Sequence, residues 1–245
     1  MLESKARQLA IDTRLKLGLQ SSEHFDVYRA VTSLGITCVK RPLESNISGA
    51  TLKTNKVKVI LVNSSKTLGH QNFTVAHELY HCLYDENLVS RACKTEKFAR
   101  VRGSEQVADL FATLLLMPEE AIFNQLRLRK KLDVKLTLAD IINLDQFFGV
   151  SRKAMCWRLE DLELITREQS ENCCVNVIQS AMSLGKNTDL YLPTNDNTII
   201  SDYAEKASEA FQKNVITASR YEEILADADL LERVMGAAEE VDVVD

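Results

Sequence analysis

The sequence predicts an α+β fold that is mainly helical, with a small three-stranded sheet in its N-terminal third and a helical C-terminal region. Three observations lead there. Apolar residues recur at helical spacing along most of the 245 residues, a cluster of short β-branched segments falls between residues 36 and 62, and Gly and Pro are scarce at 8 and 3. With 45% hydrophobic and 27% charged residues the chain can bury a core unaided, which excludes disorder as its main state.

Taken in order, Leu2, Ala6, Leu9, Ala10, Leu15 and Leu17 stand among charges and read as an amphipathic helix ending near Gly18. A second helix is expected from Phe25 to Leu34. Ile36 to Val39, Ile47 to Leu52 and Val57 to Val62 read as strands, being short, β-branched and separated by polar turns. Helices resume over Asn72 to Tyr84 and Glu105 to Leu116, the latter with Ser104 as its N-cap. From Pro118 to about Lys131, acids in the first turn and Arg127, Arg129, Lys130 and Lys131 in the last complement the helix dipole.

Residues 137–164 follow a helix–turn–helix pattern around Gly149-Val150-Ser151. Its second helix sets Arg152, Lys153 and Arg158 against Glu160, Asp161 and Glu163, a mixed charge that reads phosphate poorly, so a packed hairpin is favoured over a DNA reader. The polar stretch from Ser170 to Thr198 is expected to be a boundary or long connection. Helices are expected again over Ser201 to Lys213 and Arg220 to Met235, before a frayed acidic tail. This gives a domain over residues 1–130, a helical hairpin packed on it over 131–168, and a variable region over 169–245.

The 30 Lys and Arg against 35 Asp and Glu leave a net charge of −5, which disfavours direct nucleic-acid binding by phosphate neutralisation. The six cysteines show no CxxC spacing, no stretch of roughly 20 apolar residues is present to span a membrane, and the N-terminus lacks a secretory pattern. A cytoplasmic location follows as the expectation. Arg91, Lys94, Lys97, Arg100 and Arg102 form a basic run whose favoured reading is a solvated loop and helix face, with engagement of an acidic substrate or of DNA as the alternative.

Two of the four histidines sit in His77-Glu78-Leu79-Tyr80-His81. On a helix, positions four apart return to one face, so both imidazoles can address one metal ion, while Glu78 projects beside them toward a metal-activated water. A strand ending at Asn63, just before this helix, suggests a sheet edge able to accept an extended peptide by strand addition. Downstream, Glu105 and Asp109 are also four apart; one can bind the metal while the other accepts the free N–H of a ligating histidine. Two imidazoles and a carboxylate that leave room for water favour zinc.

The run NFTVAHELYHCLYD, followed by EQVADLFATLLLMPEEA, resembles the ImmA/IrrE family of zinc metallopeptidases, and the resemblance extends to ISGATLK and ILVN upstream and FGVSRKAMCWRL downstream, over roughly residues 5 to 165. It implies a zincin-like domain with one zinc ion per chain held by His77, His81 and Glu105, with Glu78 as general base and Asp109 as the acid behind a ligand. Tyr80 stands where the family usually has Gly, and His70 where Arg is frequent. Tyr80, Tyr84 and His70 are candidates for oxyanion support. The resemblance further implies a site-specific endopeptidase that cleaves a helix-turn-helix transcriptional repressor. The alternative is a non-catalytic regulatory protein, antirepressor- or antitoxin-like, that binds such a partner without cutting it.

Overall fold

Lys58–Asn63 forms the strand (β3) around which a mixed sheet is laid: β1 (Thr37–Arg41) pairs with it in parallel and β2 (Gly49–Lys53) in antiparallel fashion. β4 (Ser90–Cys93) adds to the far side of β2, and β5 (Thr198–Ile200) to the far side of β1, both antiparallel. The order is therefore β4-β2-β3-β1-β5, five strands rather than the expected three. The two additions are short edge strands, one inside the basic run and one three residues long, whose strand character comes from their partners rather than from local pattern. The same order corrects the expectation that the strand ending at Asn63 is a sheet edge. With a partner on each side, β3 has no free row of backbone groups to offer a peptide.

The computed structural model describes residues 2–44, 46–55, 57–85, 90–93, 103–132 and 134–227, and the chain divides into two units, residues 1–200 and 201–245. In the first unit, α1 (Leu2–Lys16) and α2 (Val27–Ser33) precede the sheet, and α3 (Leu68–Tyr84) follows it. Asn63 fixes the strand-to-helix passage. Its Nδ2 donates to Ile47 O at 2.9 Å and its Oδ1 accepts from the N–H groups of Leu43 and Ser65, both at 3.0 Å. α3 lies on the inner face of β2 and β3, with Phe73, Val75, Ala76, Leu79 and Cys82 all in the core.

α4 (Ser104–Leu116) packs on α3 and α1, where the Arg14 guanidinium donates to Leu115 O at 2.7 Å. Ser104 is the first residue of α4 and not its N-cap, which is Gly103 at φ 96°. α5 (Glu119–Leu128) then runs from the N-cap Pro118, with Glu119 and Glu120 in its first turn and Arg127 in its last.

α6 (Leu138–Phe148) and α7 (Arg152–Asp161) form the hairpin, opened by a Thr137/Asp140 capping box and turned at the left-handed Gly149. The turn is pressed against the start of α3. A Cβ on Gly69 would sit 2.6 Å from Ser151 N, and Asn72 Nδ2 donates to Gly149 O at 2.8 Å. Two of the three basic side chains on α7 are spent inside the fold. Arg152, 1% exposed, pairs with the fully buried Asp145 and donates to the Tyr191 hydroxyl, and Arg158 donates to Met117 O at 3.2 Å. Lys153 lies over the Trp157 ring at 4.8 Å. The hairpin is thus packed, as its mixed charge suggests.

The stretch 170–198 is more regular than a polar connection: α8 (Arg167–Cys173), α9 (Val177–Ser183) and a 3-10 turn over Asp189–Tyr191 occupy about half of it. Its polar composition hides them because they are too short for a periodic apolar stripe. The second unit holds α10 (Tyr203–Gln212) and α11 (Ala218–Asp227), whose Phe211 and Tyr221 rings stack at 5.1 Å. The rest of the expected last helix and the acidic tail lie outside the described residues, as do Lys94, Lys97, Arg100 and Arg102 of the basic run.

The Asp145–Arg152 pair yields a stability prediction. Removing one partner leaves a buried charge uncompensated, so Asp145→Ala should destabilise the chain by about 3–5 kcal/mol, whereas Asp161→Ala, at the exposed partner of Arg158, should cost under about 1 kcal/mol. Chemical denaturation of the two variants checks this, and similar midpoints would show that the buried pair is not holding the hairpin.

Candidate metal centre

One turn of helix separates His77 from His81 on α3, and both imidazoles are buried. Their Nε2 atoms lie 3.3 Å apart. α4 presents Glu105 to them, with Oε2 at 3.4 Å from His77 Nε2 and Oε1 at 3.3 Å from His81 Nε2. Among the described residues this is the group of side chains able to share one metal ion. The fit is specific: a tetrahedral ion with bonds of about 2.0–2.1 Å spaces its donors about 3.3–3.4 Å apart. The three contacts already have that spacing.

Each imidazole is held from behind. His77 Nδ1 donates to Asp109 Oδ1 at 2.8 Å, and His81 Nδ1 donates to Asp85 Oδ2 at 3.2 Å. A proton kept on Nδ1 leaves the Nε2 lone pair for a metal. Asp85 in turn accepts from Ser104 Oγ at 2.8 Å. Asp85 caps the end of α3 and Ser104 begins α4, so this bond pins together both ends of the intervening segment and delivers Glu105 to the imidazoles. When the imidazoles also carry a proton on Nε2, hydrogen bonds from His77 and then His81 hold the Glu105 carboxyl well below the usual carboxylate range, outweighing its partial burial; an ion bound at Nε2 takes the place of those protons.

Glu78 is on the sheet-facing side of α3, fully buried, where the Thr51 hydroxyl of β2 donates to its Oε2 at 2.7 Å. Cys82 also points to the sheet, its sulfur 3.9 Å from Thr51 Oγ1, and away from the histidines, as its place one step beyond His81 requires. The three oxyanion candidates lie in different places. Tyr80 is beside the cluster, its ring edge-on to His81 at 5.4 Å and packed on Phe111 at 5.8 Å. Burial, then the Asp85 charge, raise its phenol above the ordinary range, partly offset by a hydrogen bond with Ser104. Tyr84 turns to α1, its hydroxyl 2.8 Å from Thr13 Oγ1. His70, two turns before His77 and so about 10 Å along the axis, bonds Ser48 Oγ at 2.9 Å. The structure does not bring these last two side chains to the metal cluster.

Asp85, Ser104 as its partner, and Thr51 are the site residues that sequence reasoning missed. Asp85 carried a usable signal, standing four positions after His81 just as Asp109 stands four after Glu105. Thr51 carried none, since it meets Glu78 across 27 positions of chain.

A family model described as Peptidase_M78, the IrrE N-terminal-like domain, matches residues 31–160. That interval contains β1 to β4, α3, α4 and the hairpin but for the last residue of α7, while β5 lies beyond it. No curated protein matches the chain.

Removing the carboxylates behind the imidazoles should loosen the ion without removing a ligand: Asp85→Ala and Asp109→Ala are each expected to weaken metal affinity about 10–100-fold. His81→Ala should abolish stoichiometric binding. Competition against a chelator measures all three, and unchanged affinity in both aspartate variants would refute the roles given to these contacts.

Proposed function

Because the chain belongs to the Peptidase_M78 family of IrrE N-terminal-like domains, we propose that it is a zinc-dependent endopeptidase that cuts a helix-turn-helix transcriptional repressor and so relieves repression. The observation that carries the enzymatic part is the metal-like spacing of His77 Nε2, His81 Nε2 and Glu105, with both Nδ1 atoms committed to carboxylates and Glu78 next to them in sequence. Zinc held by these three donors supplies Lewis-acid activation of a water molecule and of the scissile carbonyl.

Glu78 takes the proton of the attacking water and then delivers it to the nitrogen of the departing amine, so the carboxylate ends the cycle as it began. Asp109 and Asp85 keep the imidazole protons on Nδ1 throughout. Tyr80 is the oxyanion candidate positioned beside the cluster. For the substrate backbone, the sheet offers β4. It is the described edge strand on the β2 side, one strand from Thr51 and Glu78, whereas β5 lies three strands away. An extended peptide added to that edge uses main-chain hydrogen bonds for affinity and side-chain pockets for sequence choice.

The protein nature of the target agrees with the net charge of −5 and with a hairpin whose Arg152 and Arg158 are occupied internally. No helix among the described residues is long and apolar enough to cross a membrane, which is compatible with work on a cytoplasmic regulator.

The decisive experiment incubates the zinc-loaded chain with candidate helix-turn-helix repressors from the same source. Wild type should give discrete fragments, and Glu78→Gln should lower the rate by about 100-fold or more while still binding one equivalent of zinc. An intact repressor in the presence of wild type, or equal activity of Glu78→Gln in relieving repression in cells, would replace catalysis with simple binding of the partner.

A further inference from the structure

The residue pair Gly49 and Thr51 lies outside the histidine motif, yet both meet Glu78. Two positions apart on β2, they point to the same face of the sheet, the one that α3 covers. Thr51 is 1% exposed, and its Oγ1 is 2.7 Å from Glu78 Oε2 and 3.3 Å from the Glu78 main-chain oxygen. A hydroxyl has one proton to give, and the shorter, carboxylate contact claims it. At Gly49 the approach is tighter still. A Cβ there would fall 2.5 Å from Thr74 Cγ2, 3.0 Å from Leu61 O and 3.2 Å from Glu78 Oε1. The helix can lie this close to the strand because position 49 has no side chain, and the space so left receives the second carboxylate oxygen.

We propose that Thr51 is a positioning residue for Glu78, its hydroxyl holding Oε2 in place while the bare Gly49 makes room for Oε1. The proposal rests on Glu78 being the general base. A glutamate on a helix has three side-chain torsions, and a carboxylate free to rotate about the last of them presents either oxygen. Fixing one oxygen from the strand removes that freedom before substrate arrives, and preorganisation of this kind contributes to rate because it need not be achieved during the reaction. The other polar neighbours of this hydroxyl are farther off, the Glu78 main-chain oxygen at 3.3 Å and the Cys82 sulfur at 3.9 Å, against 2.7 Å to Oε2.

A zinc-directed probe tests this without knowledge of the substrate. In the cobalt-substituted full chain, acetohydroxamic acid gives its hydroxyl proton to Glu78 and binds the metal as the hydroxamate anion, a change read in the visible spectrum. Loss of the carboxylate in Glu78→Gln should weaken the probe about 10–100-fold, Thr51→Val should weaken it about tenfold, and Thr51→Ser should stay within about twofold of wild type. Cobalt affinity and the probe-free spectrum should be unchanged in all three, which a general loss of structure would not permit. If Thr51→Val disturbs cobalt binding, Thr51→Ala against Thr51→Ser decides the same question. Weakening by Glu78→Gln without weakening by the hydroxyl-free Thr51 variant overturns the role of Thr51 and leaves the general base intact. No weakening by Glu78→Gln overturns the general-base assignment and this inference with it.

Discussion

The rest of the site depends on one requirement: two buried imidazoles must each present the same nitrogen to a common point. An imidazole has two nitrogens and two neutral tautomers, and burial without a partner on Nδ1 leaves that choice open. Asp109 and Asp85 close it from opposite sides, one from α4 and one from the end of α3 itself. The consequences reach beyond the histidines. Asp109 can serve only if α4 packs along α3, and that same packing brings Glu105, one turn earlier on α4, to within 3.3–3.4 Å of both Nε2 atoms. The carboxylates behind the ring thus also set where the third donor arrives.

α3 consequently has three demands on its surface. One side carries the histidines toward α4, one buries Leu79, Val75 and Ala76 in the core, and one faces β2 with Glu78. A helix can meet all three only if its neighbours come close, and the closest approaches occur at glycines. Gly49 lets the strand approach at Glu78, and Gly69 lets the hairpin turn approach at the start of the helix, where a Cβ would lie 2.6 Å from Ser151 N. Alanine at position 69 would require backbone to move, since its Cβ would meet main-chain nitrogen and carbon at 2.6 and 2.8 Å, and at position 49 it would press on the Thr74 methyl at 2.5 Å and on Leu61 O at 3.0 Å. The few glycines in this chain include two that fix the position of one helix.

What was legible in the sequence follows the range of the interactions involved. His77, His81 and Glu78 are separated by less than one or just over one helical turn, so the period alone places them. Glu105 and Asp109 form a second local pair, and the structure brings Glu105 to His77 Nε2 and Asp109 to His77 Nδ1. The three central strands were visible because each carries its own β-branched run. β4 and β5 were not, because Ser-Arg-Ala-Cys and Thr-Ile-Ile become strands through pairing with Thr51 and Cys38 neighbours far away in the chain. The interior position of β3 was hidden for the same reason: its two partners are a property of topology, and the sequence up to Asn63 reads identically whether the strand is central or at an edge.

Charge shows the same division most sharply on α7. Arg152, Lys153 and Arg158 together suggest a face for phosphate, yet the fold assigns them three unrelated tasks: a buried ion pair with Asp145, a cation over Trp157, and a donor to Met117 O at the end of α4. The last of these links the hairpin to the helix that carries Glu105 through one guanidinium, and Asn72 links the hairpin turn to α3. The hairpin therefore braces both helices that carry ligands, α3 at its N-terminal end and α4 at its C-terminal end. A module with the outline of a DNA reader is better understood as the scaffold that keeps two ligand-bearing helices in register, since a shift of either by an ångström would break donor spacings that match a single ion.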